Sequence, residues 1–147
     1  MISGDIKHLA EPALVLTPPD KATEADDGLL TASEIARLKL NAEWVILSAC
    51  NTAHAESAGA EGLSGLAKAF FYAGSRALLV SHWPVESQSA TELTRGMFEA
   101  LKTNPAMGRS EALRRSMFKL AANDNHPHWA HPAFWAPFVV VGEGARR

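Results

Sequence analysis

The fold is decided by the stretch Trp44-Val45-Ile46-Leu47-Ser48-Ala49-Cys50-Asn51-Thr52, in which a short apolar run ends at the chain's single cysteine. A continuous apolar run of this length is typical of a strand covered on both faces of a sheet. Where such a strand gives way to a loop, rigid backbone holds the next side chain while solvent still reaches it. Cys50 is therefore the first candidate for a catalytic nucleophile.

A second apolar run and an intervening helix extend this pattern on the carboxyl side. Residues 77–81 have the same character as the first run, and apolar residues recur at helical spacing over 63–70, with Gly74 suited to end the helix. A strand, a helix and a strand in this order predict a right-handed parallel crossover. The carboxyl ends of the two strands, at Cys50 and His82, then fall at one edge of the sheet, where α/β folds place their sites.

Shorter patterns predict the remaining elements of an α/β domain that covers residues 1–147. They comprise a strand over 13–16, an exposed loop over 17–30, a capping box at Thr31-Ala32-Ser33-Glu34 that opens a short helix through Leu38, amphipathic helices over 86–102 and 110–122, and a last strand over 137–141 whose first residue is proline.

Composition limits the class of protein. A chain of 147 residues with 47% apolar and only 20% charged residues is typical of one globular domain. The formal net charge of -2 disfavours a nucleic-acid surface, which needs a concentrated basic face. A single cysteine forms no internal disulfide, which favours a reducing, cytoplasmic setting. No apolar stretch approaches the roughly 20 residues of a membrane helix, so we expect no membrane association.

Four ordered motifs resemble those of one known family. Val45-Ile46-Leu47-Ser48-Ala49-Cys50-Asn51-Thr52 resembles the catalytic-cysteine motif of CHAT domains, the caspase-like peptidase modules often joined to tetratricopeptide repeats. Residues 59–74 are similar to the family's glycine-bearing loop and alanine-rich helix, and Ser81-His82-Trp83-Pro84-Val85 to its next strand end. Residues 131–138 are similar to its closing signature, so the resemblance covers roughly residues 9–142.

The resemblance implies a fold and partners. It implies a caspase-like three-layer fold, with a mainly parallel central sheet flanked by helices and with the family's N-terminal strands missing from this chain. The strand that leads to Cys50 would then lack a neighbour and present an open apolar edge, from which we predict self-association. A protein or peptide substrate and an upstream repeat domain of the tetratricopeptide type are the other partners that the resemblance implies.

The resemblance also implies a cysteine endopeptidase that uses a Cys-His dyad. Cys50 would attack the peptide carbonyl, its own backbone amide would help to bind the oxyanion, and a histidine would protonate the leaving amine. The family's histidine lies in a histidine-glycine pair upstream, and no histidine of this chain is followed by glycine. We therefore expect the isolated chain to be a poor peptidase, and the alternative is a non-catalytic CHAT-derived binding or assembly module.

Other residues are weaker candidates for the rim of this site. His82 ends the strand expected beside that of Cys50, and His54 follows the cysteine by four residues, whereas His8 has no placement from sequence. Glu86 falls where the family tends to carry an acidic residue near the substrate groove. Its carboxylate would either bind a basic side chain of the substrate or cap the following helix.

Metal and cofactor sites are disfavoured. Three histidines, at positions 126, 128 and 131, lie close in sequence, but their Asn-Asp-Asn-His-Pro-His-Trp context is typical of a turn, so we expect no metal site. The glycines of residues 59–65 lie too far from the preceding strand for a dinucleotide-binding turn, and no carboxylate for a ribose follows the next strand. We accordingly expect no cofactor.

Overall fold

The computed structural model describes residues 11–16, 23, 27–47 and 61–145, and of residues 61–64 the backbone only. The described strands are β1 (Ala13–Val15), β2 (Leu29–Thr31), β3 (Val45–Leu47), β4 (Ala77–Ser81) and β5 (Phe138–Gly142). The described α-helices are α1 (Ala32–Arg37), α2 (Glu61–Tyr72), α3 (Ser87–Thr103) and α4 (Arg109–Ala121), and two 3₁₀ helices follow at Pro127–Ala130 and Pro132–Phe134. The chain is thus a mixed α/β structure with small sheets.

The central sheet has the order β3-β4-β5. β3 and β4 are parallel, as the crossover through α2 predicts, and Leu47 lies opposite Val80. All five residues of β4 are buried, which explains why its first four residues are apolar without alternation. β5 is antiparallel to β4, with Val140 opposite Leu79. The central sheet, as far as it is described, thus has one parallel and one antiparallel strand pair, so the expectation of a mainly parallel sheet is met by the first pair and corrected by the second.

Helices cover both faces of this sheet. Leu78 and Val80 of β4 pack with residues of α1 and α2, while Leu79, which points the other way, packs with residues of α3 and α4. This alternation follows from the period of two along a strand. The three layers expected from the sequence are present, and we call the two sides of the sheet the α1/α2 face and the α3/α4 face.

The helix ends follow from local chemistry. Thr31 caps α1, because its hydroxyl accepts from the Glu34 amide and the Glu34 carboxylate accepts from the Thr31 amide at 2.8 Å, which confirms the capping box. That amide and hydroxyl lower the pKa of Glu34. Beyond α2, Gly74 has φ of +99°, the left-handed conformation that suits glycine after a helix.

A small antiparallel pair precedes the central sheet. β1 confirms the strand expected near residue 13, and it pairs with β2 so that Leu14 lies opposite Leu30. The sequence did not predict β2, because three residues after a polar segment carry too little periodicity. The loop expected over residues 17–30 therefore ends before Leu29, and most of that range lies outside the described residues.

The strand boundaries differ from expectation at two further places. The described part of β3 covers Val45–Leu47 rather than the whole run from Trp44, and positions 48 and 49 lie outside the described residues. β5 begins at Phe138, one residue after Pro137, because proline has no amide to donate to β4. The Pro137 carbonyl still accepts from the His82 amide at 3.0 Å, which extends the pairing by one residue.

α3 and α4 pack closely against each other. Gly96 of α3 lies so near Ser116 of α4 that a Cβ there would stand 2.4 Å from the Ser116 hydroxyl oxygen. The same hydroxyl donates to the Leu93 carbonyl at 2.6 Å. Among the helices that the structure describes, none combines the length and the apolar character that a membrane crossing requires.

Candidate functional site

The carboxyl ends of β3 and β4 meet at one edge of the sheet, since the two strands are parallel and in register. We call this region, with residues 81–86 that follow β4, the carboxyl edge. The sequence places Cys50 three residues after Leu47, the last described residue of β3. Cys50 and His54 both lie outside the described residues, as does His8, so their proposed roles stay predictions.

His82 lies at the carboxyl edge as the sequence predicts. Its side chain is exposed, and its backbone amide donates to the Pro137 carbonyl at 3.0 Å. The backbone of this residue is therefore fixed by β5 while its ring faces solvent. That arrangement suits a side chain on the rim of a site, and its approach to Cys50 stays a prediction.

Trp83 connects the carboxyl edge to the C-terminal 3₁₀ helices. Its indole nitrogen donates to the Ala133 carbonyl at 3.2 Å, although the side chain is 41% exposed. An amphipathic ring with one hydrogen bond and one open face can both pack and contact a ligand.

Glu86 occupies the N-cap position of α3, but its side chain makes no capping hydrogen bond. The carboxylate instead accepts from the indole nitrogen of Trp129 at 2.7 Å. The Glu86 backbone carbonyl accepts from the Ala90 amide at 3.0 Å, the first hydrogen bond of α3, and also from the Ser89 hydroxyl at 2.9 Å. Glu86 thus joins the carboxyl edge to the α3/α4 face.

Trp129 is the residue of this region that the sequence analysis missed. It is 1% exposed and belongs to the core of the α3/α4 face. A buried indole needs a hydrogen-bond partner, and here the partner is a carboxylate 43 positions earlier in the chain. The sequence contains both the large ring of Trp129 and the acidic residue Glu86 that is typical of the family. Their spacing in the sequence gives no sign that the two side chains are hydrogen-bonded.

The three C-terminal histidines all make structural contacts within the protein. His126 stacks on Trp129 with ring centroids 3.9 Å apart, and His128 lies edge-on to Phe134 at 5.3 Å. The His131 ring nitrogen Nδ1 accepts from the Ala133 amide at 3.2 Å. Within the described ranges, no group of three or more histidine, cysteine, aspartate or glutamate side chains is arranged to hold a metal ion.

These observations define an α/β domain whose two parallel strands end at one edge, with a histidine, a tryptophan and an acidic residue following the second strand. Residues 3–143 match the sequence model of the CHAT domain family. The chain belongs to the CHAT domain family, which confirms the resemblance drawn from the four motifs.

Two curated relatives are tetratricopeptide repeat proteins. The chain is 28% identical over 118 residues to tetratricopeptide repeat protein 28 of Mus musculus and 27% identical over 118 residues to that of Homo sapiens. Each alignment covers 80% of this chain but only 5% of the mouse protein and 4% of the human protein. No solved structure gives a significant match.

Proposed function

We propose that this chain is the cysteine-bearing part of a CHAT cysteine endopeptidase with a caspase-like fold, in which Cys50 is the nucleophile. The observation that carries the proposal is the parallel register of β3 and β4, with Leu47 opposite Val80. That register brings the strand preceding Cys50 beside β4, which His82 follows directly. Membership of the CHAT family and the motif around Cys50 support the same assignment.

The chemistry proposed is acyl transfer to sulfur. The Cys50 thiolate adds to the carbonyl carbon of a peptide bond, and the oxyanion is stabilised by the backbone amide of the same residue. A histidine imidazolium then gives its proton to the leaving amine as the carbon-nitrogen bond breaks. Water hydrolyses the thioester, which returns the thiol and releases the carboxylate product.

The catalytic histidine is proposed to come from a longer polypeptide. None of the six histidines of this chain is followed by glycine, which is the pair that carries the family's histidine. The described histidines at 126, 128 and 131 make structural contacts with Trp129, Phe134 and Ala133. A thiol without a base has a pKa near 8.5 and is only slightly ionised at neutral pH, so the 147-residue chain alone should be a poor peptidase.

The rim of the proposed site consists of His82, His54 and Glu86. Because the carboxylate of Glu86 already accepts from a buried indole, we propose it chiefly as a positioning residue that fixes Trp129 against the carboxyl edge. Binding of a basic substrate side chain by the same carboxylate is the further role that the family resemblance suggests. The substrate class is a protein or peptide, and a reducing compartment such as the cytoplasm is proposed from the lone cysteine.

The second candidate is a non-catalytic CHAT module that serves binding or assembly. Its proposed partner is a tetratricopeptide repeat region, because the two curated relatives are repeat proteins of which this chain matches a small part. Under either candidate the attached repeats would bring other proteins to the domain.

Thiol alkylation separates the two candidates. Cys50 is the only cysteine, so the rate of iodoacetamide labelling reports on this thiol alone. In the 147-residue chain we expect a rate like that of a model peptide. In a polypeptide extended upstream through a histidine-glycine pair, we expect faster labelling at neutral pH and cleavage of a casein substrate. Replacing the upstream histidine should abolish both the faster labelling and the cleavage. Cys50→Ser in the extended polypeptide should abolish the cleavage.

Two outcomes would change this assignment. Equal alkylation rates in the short and extended chains, without cleavage, would support the assembly module instead. A fast rate in the short chain that falls in His82→Ala but not in His128→Ala would make His82 the base. His128 is a suitable control because its ring packs against Phe134, and so it is a histidine with a structural contact.

A further inference from the structure

The Trp83 ring is tied to the carboxyl edge by a residue of the C-terminal segment. Its indole nitrogen donates to the Ala133 carbonyl at 3.2 Å, and the two residues are 50 positions apart in the chain. The Trp83 side chain is 41% exposed, so packing alone leaves much of the ring unsupported. The position of the ring therefore depends on where the Ala133 carbonyl lies.

The ring of His131 holds the amide of the same alanine. His131 is the N-cap residue of the 3₁₀ helix Pro132–Phe134, and its ring nitrogen Nδ1 accepts from the Ala133 amide at 3.2 Å. Since Pro132 has no amide hydrogen, the Ala133 amide is the first donor of this helix. The His131 ring and the Trp83 indole are thus joined through the amide and the carbonyl of one residue.

The backbone of this segment has hydrogen bonds of its own. The Pro132 carbonyl accepts from the Trp135 amide at 3.1 Å and from the Ala136 amide at 2.8 Å. Neither of these bonds involves the amide or the carbonyl of Ala133. Loss of the His131 ring should therefore free Ala133 locally, without unfolding the segment.

An imidazole cap differs from the caps that helices prefer. Helix N-caps are most often asparagine, aspartate, serine or threonine, whose oxygens accept at any pH near neutrality. A histidine that accepts at Nδ1 must be neutral and carry its proton on Nε2, because an imidazolium has no acceptor nitrogen. The cap that His131 gives to Ala133 is therefore present with the neutral ring and is lost as the pH falls and the ring takes up a proton.

We propose that His131 is a positioning residue of the candidate site, which holds the open face of the Trp83 indole at the carboxyl edge through Ala133. That open face would lie against a side chain of a peptide bound at this edge, and this consequence rests on the proposed function. The positioning itself does not depend on catalysis, because both hydrogen bonds lie within the 147-residue chain. The two parts can therefore be tested separately.

The tryptophan indoles provide the measurement in one NMR spectrum of the 147-residue chain. The chain has four tryptophans and hence four indole N–H signals, which single tryptophan-to-phenylalanine variants assign. The indole nitrogens of Trp44 and Trp135 are buried, as is the whole Trp129 side chain. These three signals report on the core, whereas the exchange of the Trp83 indole hydrogen with water reports on its bond to Ala133.

The main test compares three variants by magnetisation transfer from water. In His131→Ala, the Trp83 indole hydrogen should exchange about threefold faster or more, with the other three signals unchanged. His131→Asn should keep the wild-type rate, because its Oδ1 can accept from the Ala133 amide. His128→Ala is the matched control, since this neighbouring ring packs against Phe134. An unchanged rate in His131→Ala, or equal increases in His131→Ala and His131→Asn, would overturn the proposal.

The pH dependence gives a readout that a purely structural role would not change. The ratio of the Trp83 exchange rates in the wild-type and His131→Asn chains cancels the intrinsic effect of pH on exchange. This ratio should be near one at pH 8 and should rise at pH 5, where histidine side chains are protonated. The other titratable side chains of the carboxyl edge and the 3₁₀ segment are the same in both chains, namely His82, Glu86, His126 and His128. A constant ratio would contradict the His131 ring as the acceptor, and with it the proposal.

The consequence for the proposed peptidase is measured in the polypeptide extended through a histidine-glycine pair. There His131→Ala should raise the KM for casein about two- to tenfold and leave kcat nearly unchanged, because a contact made equally with substrate and transition state affects KM alone. His131→Asn should restore the wild-type KM. An unchanged KM in His131→Ala would overturn the contact between Trp83 and the bound peptide. An extended wild-type polypeptide that does not cleave casein would count against the proposed function, and the NMR result would still decide the role of His131.

Discussion

The two faces of the central sheet are packed with different kinds of side chains. The α1/α2 face is built largely from aliphatic and small residues, with Ala67, Ala69 and Ala73 of the α2 segment against β4. The α3/α4 face contains Trp129 and Phe138 in its core and has Trp44 and Trp135 packed against it. Small residues let a helix approach a sheet closely, whereas large rings fill a wider gap and reach beyond it.

This difference determines which face supports the candidate site. On the α3/α4 face, the Trp129 indole bonds to Glu86 and the Trp83 indole bonds to the Ala133 carbonyl, so the core is continuous with the carboxyl edge. On the α1/α2 face, the described hydrogen bonds of Thr31 and Glu34 stabilise the start of α1. We infer that changes on the α3/α4 face alter both stability and the rim of the site, whereas changes on the other face alter stability.

Removing one large buried side chain from each face tests this inference most strongly. Trp129→Ala should lower the free energy of unfolding by about 3–5 kcal/mol, and Ile35→Ala, on the α1/α2 face, by about 2–5 kcal/mol, both measured by urea unfolding. Amide exchange of residues 81–86 should rise in native Trp129→Ala and stay unchanged in Ile35→Ala. If exchange at the carboxyl edge responds equally to both variants, the proposed difference between the faces is wrong.

Local sequence signals predicted most of the elements on which this comparison depends. The continuous apolar residues 77–80 of β4 indicate a strand buried on both faces, and the Thr31–Glu34 capping box starts α1 where it was expected. These patterns are local, because a strand period or a cap involves only neighbouring residues. The direction of β5 was not predicted, since strand orientation depends on how a distant segment returns to the sheet.

The site was predicted in part, and the missing part is non-local. The motif around Cys50 indicated the family, and the position of His82 at the end of β4 followed from the predicted strand. The pairing of Glu86 with Trp129 spans 43 residues, so neither residue carries a local sign of the other. The histidine-rich segment was expected to be a turn rather than a metal site, and the ring of His126 lies against Trp129 and that of His128 against Phe134.

Helix packing gives a second, smaller test of the two faces. Gly96→Ala should lower the free energy of unfolding by about 1–3 kcal/mol, because the new methyl would meet the Ser116 hydroxyl at 2.4 Å in a close helix pair. Gly65→Ala on α2 should lower it less, because the overlap of the new methyl with the Pro12 ring, at 2.9 Å, is smaller and is offset by up to about 1 kcal/mol of helix preference for alanine.

A double variant sharpens the interpretation of this pair. Adding Ser116→Ala to Gly96→Ala removes the hydroxyl oxygen and leaves the next atom, the Ser116 Cβ, at 3.4 Å. We expect the double variant to recover most of the lost stability in urea unfolding. A loss as large as in Gly96→Ala alone would show that the helix backbones, rather than this hydroxyl, limit the approach of α3 and α4.

The hydrogen bond that joins the α3/α4 face to the carboxyl edge gives the smallest effect. Glu86→Ala should lower the free energy of unfolding by about 1–2 kcal/mol, because the buried Trp129 indole loses its carboxylate acceptor at 2.7 Å. Glu86→Gln should lose less than half of this, since the amide oxygen can still accept. Thermal and urea unfolding of the two variants measure the difference.

A control on the same helix separates this bond from the general loss of a surface charge. Glu92→Ala removes an acidic residue whose described ion pair joins it to Arg95 one turn later, and such a helical pair contributes about 0.2–0.5 kcal/mol. If Glu86→Ala costs no more than Glu92→Ala, the carboxylate does not hold Trp129, and the link between core and carboxyl edge would have to run through Trp83 and Ala133. If Glu86→Gln behaves like the wild-type chain while Glu86→Ala does not, the acceptor oxygen rather than its charge is what positions the indole.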